Sequence, residues 1–94
     1  MSAARRHNLK CWPAFFQAIR DGDKTFEVRE NDRGFQRGDV LVLREFDPNR
    51  NFGSGGYTGN DEWRLVTYVL SGFDGIAEGY VVMGLSEEVP DGGE

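Results

Sequence analysis

A short run of strict alternation between polar and apolar residues, over residues 25–30, most constrains how this chain can fold. Successive side chains of a β-strand point to opposite faces. Thr25, Glu27 and Arg29 would therefore share one face, while Phe26 and Val28 share the other. We expect the face of Phe26 and Val28 to pack against the rest of the protein. The opposite face would then present a hydroxyl, a carboxylate and a guanidinium in a row, which indicates a binding site.

Apolar residues at three- and four-residue spacing predict a helix over residues 13–21. Pro13 suits the first turn of a helix, and Gly22 suits the position just after its end. A helix this short has to be held by packing rather than by its own propensity. The apolar stripe that would provide this packing consists of Trp12, Phe15, Phe16 and Ile19.

Four further runs have the composition of strands, at residues 7–12, 40–46, 62–71 and 80–85. Residues 47–60 are rich in Gly and Asn, which predicts a mobile hairpin loop. We expect one domain over residues 1–94, with a flexible arm at 1–6 and an acidic tail at 86–94. One helix and about five short strands favour an α+β, β-dominated fold built on a small β-barrel.

Charge is divided unevenly along the chain. Residues 1–50 contain ten Lys and Arg against eight Asp and Glu, whereas residues 51–94 contain one against eight. One interpretation is a solubilising acidic tail, and another is a partly basic N-terminal face that suits a short nucleic acid or a nucleotide. Because we find neither a signal peptide nor an apolar run near the ~18 residues that span a bilayer, we expect no membrane partner. A single cysteine, Cys11, fits a cytoplasmic protein.

Several motifs resemble those of the DUF3850 family, small proteins that are often found in phages and prophages. They are the opening HNLK with Trp-Pro, the block GDKTFEVRENDRGFQRGD, the run LREFDP and the closing GYVVMGL. The resemblance extends from His7 to about Leu85, and its G-x-K-x-x-E-x-R motif is similar to the signature of the wider ASCH/PUA-like superfamily. It implies a PUA/ASCH-like small β-barrel with the helix over one opening, and RNA or nucleotide binding in the cleft beside that helix.

The residues that such a cleft would offer to a ligand are Lys10, Trp12, Lys24, Thr25, Glu27, Arg29, Arg33 and Tyr68. Lys24 would reach a phosphate or a base carbonyl, and Glu27 would accept a hydrogen bond from a base amino group. Trp12, Phe35 or Tyr68 would stack on a base.

Each of these roles has a structural alternative. Glu27 and Arg29 can pair with each other, or with Asp32 or Lys10, because buried charges are costly unless paired. The aromatic residues can pack in the core. Residues 31–33 can form a capping turn instead of the rim of a site.

A second hypothesis is a small hydrolase that acts on a modified nucleobase or on RNA. Some members of the superfamily hydrolyse acylated cytidine with a Lys, a Thr three residues later and a distant Glu. Lys24 matches the Lys, but Glu27 stands in place of the Thr, so that triad cannot be assembled. A different acid–base pair of Lys24 and Glu27 stays open. These residues point to opposite faces of a regular strand, so Lys24 must lie in the preceding turn for the pair to converge.

A third hypothesis is a phage-type adaptor that binds a host protein through residues 47–60 and the acidic tail. His7 and Cys11 provide too few ligands for a metal site. The run GSGGYTG lacks the lysine and the following helix of a phosphate-binding loop. We therefore expect neither a metal nor a cofactor.

Overall fold

The computed structural model describes residues 5–90, which fold into one five-stranded sheet and one α-helix. The order across the sheet is β1-β3-β4-β5-β2, with β1 parallel to β3 and every other neighbouring pair antiparallel. The elements in chain order are β1 (Arg6–Cys11), α1 (Pro13–Arg20), β2 (Phe26–Glu30), β3 (Val40–Asp47), a 3-10 turn (Asn51–Gly53), β4 (Gly56–Leu70) and β5 (Tyr80–Ser86). The sheet curls into a half-barrel, which confirms the predicted β-dominated, barrel-like α+β fold.

The core lies between α1 and the inner face of the curled sheet. From the helix, Phe16 and Ile19 are buried, and they pack with apolar side chains of all strands except β2. The prediction that Trp12 and Phe15 belong to the same buried stripe was wrong, since they are 45% and 53% exposed. Trp12 is the N-cap residue of α1, and Phe15 lies in the first turn of the helix. The sheet residues of the core are Leu9, Cys11, Leu41, Leu43, Val66, Val81 and Met83.

The two edge strands, β1 and β2, face each other across a gap that we call the seam. Side chains bridge this gap in the described part of the chain. Arg29 Nη2 donates to the carbonyl oxygen of Lys10 at 2.7 Å, and Arg33 Nη1 donates to that of Asn8 at 3.0 Å. Asn8 and Lys10 are two residues apart in β1, so their carbonyls point in the same direction. Two arginines therefore occupy edge carbonyls that a neighbouring strand would otherwise use.

Strand β2 presents its two faces in the opposite sense to our prediction. Glu27 is 5% exposed, whereas Phe26 and Val28 are 46% and 51% exposed. The alternation was right, but the expectation that Phe26 and Val28 pack inside was wrong. A buried carboxylate is tolerated where it is paired, and the seam supplies cationic partners for Glu27. The polar face therefore turns inward, and the apolar face stays in contact with solvent.

Strand β4 begins earlier than the sequence suggested. Only residues 48–55 connect β3 to β4, so the predicted loop was wrong for residue 47 and for residues 56–60, which are strand. The register between β3 and β4 shifts around Glu45, where β4 carries additional residues. Glu45 Oε1 accepts hydrogen bonds from Thr58 Oγ1 at 2.8 Å and from Asn60 Nδ2 at 3.1 Å. The polar residues that indicated a loop are thus used to stabilise a β-bulge.

The chain ends also differ from the expectation where they are described. Arg6 begins β1, and Arg5 donates to Asp39 Oδ2 at 3.0 Å, so the flexible arm predicted for residues 1–6 was wrong at these two positions. Residues 1–4 of that arm and residues 91–94 of the predicted acidic tail lie outside the described residues. The described part contains no helix of the length and hydrophobicity that a membrane crossing requires.

A buried arginine of β4 holds the C-terminal end of α1. Arg64 Nη2 donates to the carbonyl oxygen of Ile19 at 2.9 Å, and Arg64 Nη1 lies 3.1 Å from Glu62 Oε1. Glu62 Oε2 accepts a second hydrogen bond, at 2.8 Å, from Arg20 in the last turn of the helix. Burial would raise the pKa of Glu62, but the bonds from Arg20 and Arg64 lower it below its ordinary value. The helix is therefore anchored by charge as well as by Phe16 and Ile19.

We predict that Arg64→Met lowers the free energy of unfolding by about 1–3 kcal/mol, because Ile19 loses one donor and Glu62 loses one cation. Urea denaturation measures this change. Arg44→Met is the control, since the Arg44 side chain is 42% exposed and lies 3.9 Å from Asp61. We expect the control to shift stability by less than about 0.5 kcal/mol. Equal losses in both variants would contradict the anchoring role.

A second buried carboxylate fixes the turn before β3. Asp39 Oδ2 accepts hydrogen bonds from His7 Nε2 at 2.9 Å, from the Gln36 amide at 3.0 Å and from Arg5 Nη2 at 3.0 Å. Burial would raise the pKa of Asp39. The hydrogen bonds from His7, Gln36 and Arg5 outweigh it and lower that pKa below its ordinary value of 3.8.

Below pH 3.8, folded Asp39 binds fewer protons than unfolded Asp39, so its contribution to stability rises with pH. That contribution is complete above this pH and is lost as the pH falls through the pKa of the folded state. We predict that Asp39→Asn destabilises the protein by about 1–3 kcal/mol at neutral pH. Urea denaturation at a series of pH values should show the gap between variant and wild type narrowing below pH 3.8. A gap that is constant across this range would refute the assignment.

Candidate functional site

A cavity of about 490 Å³ opens at the seam, between the start of α1 and β2. We call it the seam cavity. Its volume lies within the range of roughly 300–1,000 Å³ that is typical of sites for small molecules. It is lined by Lys10, Cys11, Trp12, Phe15, Lys24, Phe26, Glu27, Val28 and Arg29.

The turn after α1 holds Lys24 in place. Gly22 adopts a φ of +83°, a left-handed conformation that ends the helix. Residues with a side chain rarely adopt this conformation. The backbone amides of Asp23 and Lys24 then both donate to the carbonyl oxygen of Ala18 at 3.0 Å. Lys24 therefore lies in the turn and not in β2, which is the condition that the sequence set for its convergence with Glu27.

The floor of the cavity is an ionic cluster centred on Glu27. Lys24 Nζ lies 2.6 Å from Glu27 Oε1, and Arg29 Nε donates to Glu27 Oε2 at 2.7 Å. Lys24 also donates to the carbonyl oxygen of Phe26 at 2.9 Å. The pairing of Glu27 with Arg29, one of the structural alternatives, is present. A carboxylate oxygen can accept more than one hydrogen bond, so Glu27 retains capacity for a ligand.

The walls of the cavity are apolar and exposed. Trp12 and Phe15 approach from the start of α1, while Phe26 and Val28 approach from β2, and each is between 45% and 53% exposed. Lys24 Nζ lies 5.1 Å from the ring centroid of Phe26 and 5.7 Å from that of Phe15. Large apolar side chains that stay in water around a concave ionic site indicate a surface that a ligand covers.

Cys11 is a neutral part of the lining. Burial, followed by the charge of Glu27, raises the pKa of its thiol to about 11. A thiol with this pKa is protonated at neutral pH, so it is a poor nucleophile. Within residues 5–90, no three His, Cys, Asp or Glu side chains are grouped so that they could hold a metal ion.

Five of the eight predicted ligand-binding residues line this cavity, namely Lys10, Trp12, Lys24, Glu27 and Arg29. The structure places the other three elsewhere. Arg33 donates to Asn8 further along the seam, Thr25 is exposed beside the start of β2, and Tyr68 is 61% exposed on β4. The sheet order explains the separation of Tyr68 from the cavity, because β5 lies between β4 and β2.

The remaining aromatic candidate has a core role. Phe35 is 5% exposed and packs edge-on against His7, with ring centroids 4.8 Å apart. Its amide donates to Asn31 Oδ1 at 2.8 Å, which is the capping-turn alternative for residues 31–33. These contacts leave Phe35 no surface on which a base could stack.

Sequence reasoning missed three wall residues, Phe15, Phe26 and Val28. All three were assigned to buried faces because apolar residues that share one face of an element were expected to pack inside. The signal that could have identified Phe26 and Val28 is the charged residues with which they alternate. A strand with a carboxylate and a guanidinium on its inner face has to place its apolar side chains outside.

We predict that Glu27→Gln lowers the free energy of unfolding by about 1–3 kcal/mol, because Lys24 and Arg29 then face each other without a carboxylate between them. Chemical denaturation measures the loss. Glu30→Gln removes an exposed carboxylate from the same strand and should change stability by less than about 0.5 kcal/mol. An unchanged Glu27→Gln variant would show that the cluster does not support the fold.

Comparison with known proteins identifies a family whose match includes the seam cavity. The family described as "Domain of unknown function (DUF3850)" matches residues 6–85, a span that includes every lining residue of the seam cavity. A phage protein, "Uncharacterized 12.9 kDa protein in GpA 3'region" of Escherichia phage P2, is 37% identical over 43 residues. The aligned segment is 46% of this chain and only 39% of the length of that phage protein. The match over residues 6–85 shows that this chain belongs to the DUF3850 family.

Proposed function

We propose that the seam cavity binds a nucleotide, a modified nucleoside or one nucleotide of an RNA strand. The observation that carries this proposal is the combination of exposed aromatic walls with an ionic floor in a cavity of about 490 Å³. A nucleotide has the complementary parts, namely a flat base with polar edges and an anionic phosphate.

The base fits the walls. Trp12 and Phe15 stand on one side of the seam, and Phe26 stands on the other, so a planar ring can be held between aromatic side chains. Stacking of a base on an aromatic side chain contributes about 1–3 kcal/mol. Glu27 at the floor can accept a hydrogen bond from an amino group or a ring N–H of the base.

The phosphate fits the rim. Lys10 is exposed at the edge of the cavity, and Lys24 is held over the floor with its side chain 18% exposed. A lysine acts as a compact point charge for phosphate. The motif that resembles the ASCH/PUA-like signature supplies Lys24, Glu27 and Arg29, and all three meet here. Membership of that superfamily is therefore part of this proposal.

A second candidate function rests on one distance. Lys24 Nζ and Glu27 Oε1 are 2.6 Å apart and both line the cavity, so an amine and a carboxylate meet beside the space that a ligand would occupy. This geometry favours a small hydrolase that acts on a modified nucleobase or on RNA. Incubation with acylated cytidines and with short RNA, followed by chromatography, would show turnover. Turnover that survives both Lys24→Ala and Glu27→Gln would exclude these roles.

We predict that the protein binds nucleoside monophosphates or short single-stranded RNA at low salt, and that Phe15→Ala weakens this binding about tenfold. Phe15 is 53% exposed, so its truncation should leave the fold intact. The physical reason is the loss of one stacking surface. Isothermal titration calorimetry with nucleoside monophosphates, acylated cytidine and an RNA oligonucleotide provides the measurement.

Two further variants complete the experiment. Lys24→Ala removes a phosphate or base contact and should weaken binding by a similar factor. Phe73→Ala is the control for Phe15, because Phe73 is 62% exposed and does not line the cavity. If wild type binds none of these ligands at low salt, where phosphate contacts are strongest, the proposal is wrong.

A further inference from the structure

A row of aromatic and cationic side chains continues from the seam cavity onto the outer face of the sheet. Residues paired across neighbouring strands share a face. Lys10 of β1 pairs with Arg44 of β3, and Phe46 of β3 pairs with Tyr57 of β4. We call the set formed by Lys10, Trp12, Arg44, Phe46 and Tyr57 the outer strip.

The rings of the outer strip touch in sequence. The ring centroids of Trp12 and Phe46 are 5.8 Å apart, and those of Phe46 and Tyr57 are 5.1 Å apart, both in edge-to-face geometry. This packing fixes the rings while Trp12 and Tyr57 stay 45% and 43% exposed. The bulge opposite Glu45 keeps Tyr57 in line, because it absorbs the additional residues of β4.

Two of the three rings, the central Phe46 and the terminal Tyr57, carry a cation. Lys10 Nζ lies 4.2 Å from the ring centroid of Phe46, and Arg44 Cζ lies 4.1 Å from that of Tyr57. The carboxylate nearest to Arg44 is Asp61, at 3.9 Å, and both side chains are more than two-fifths exposed. Exposed pairs of this kind hold weakly, so Arg44 is available to another anion.

The outer strip and the seam cavity share two residues. Lys10 and Trp12 line the cavity, and both also contact Phe46 on the outer face. A ligand that fills the cavity and extends past Trp12 would therefore meet Phe46 and then Tyr57, over whose ring the Arg44 guanidinium lies.

We propose that the outer strip binds the nucleotides that flank the one held in the seam cavity, so that the ligand is a single-stranded nucleic acid and not a free nucleotide. This inference rests on the function proposed above for the cavity. Alternating rings and cations are what a single strand requires, because its bases expose flat faces and its backbone carries one charge per nucleotide. The Arg44 guanidinium can itself carry a stacked base.

A duplex does not fit the same surface. Its bases are stacked on each other and paired, so rings on a protein surface cannot reach their faces. The strip also has two cations, far fewer than a protein needs to follow the phosphates of a long duplex. The charge and the aromatic content of the strip both select an unpaired strand.

The test compares two probes on five proteins. The probes are adenosine 5′-monophosphate and a fluorescein-labelled single-stranded RNA of mixed sequence, about eight nucleotides long, which is a typical site size. The proteins are wild type, Tyr57→Ala, Arg44→Ala and two controls. Tyr80→Ala removes a tyrosine of matched exposure, 42% against 43%, from β5, and Arg37→Ala removes an exposed arginine outside the strip.

We expect wild type to bind the RNA at least about tenfold more tightly than the monophosphate, because additional bases stack. Tyr57→Ala should remove most of this advantage and leave affinity for the monophosphate unchanged. Arg44→Ala should make the negative slope of log K against log salt shallower by about 0.7, the value for one phosphate contact with a single strand. Both controls should behave as wild type.

Two results would overturn the inference, and they are distinguishable. If the monophosphate binds but the RNA binds no more tightly, or if the two strip variants match their controls, the strip has no role and the cavity function stands. If neither probe binds wild type, while acylated cytidine and the other monophosphates also fail, the cavity function is wrong and the inference fails with it.

Discussion

Arg29 is the side chain on which both the closure of the sheet and the shape of the cavity depend. Its Nη2 atom crosses the seam to the carbonyl oxygen of Lys10, and its Nε atom holds Glu27. The guanidinium makes both contacts at once because its donors are held in a fixed plane. Arg33 bridges the seam further along, and the site lies where Arg29 bridges it.

The ionic cluster also determines which face of β2 is inside. Glu27 is buried between Lys24 and Arg29, and this arrangement turns Phe26 and Val28 towards solvent at the mouth of the cavity. The aromatic walls are therefore a consequence of the charged floor. Trp12 links the cavity to the outer face of the sheet, because its ring borders the cavity and also packs against Phe46.

Local patterns predicted the elements well, and long-range pairing explains what they missed. The spacing of Phe16 and Ile19 located α1 to within one residue, and the alternation around Glu27 located β2. Periodicity shows which residues share a face but not which face is buried. That choice depends on contacts across the seam, such as the one that joins Arg29 to Lys10. For the same reason Tyr68, in β4, could not be separated from the site in advance.

The way in which the seam is bridged has a consequence for how this sheet behaves among other chains. An edge strand with free carbonyls is a template on which a foreign strand can add, and this is how many β proteins aggregate. Here Arg29 and Arg33 cover successive carbonyls of β1. Because the donors are side chains, these hydrogen bonds can break and re-form while every pair of strands in the sheet stays intact. The edge of β1 is therefore protected against strand addition by hydrogen bonds from side chains and not by a paired strand.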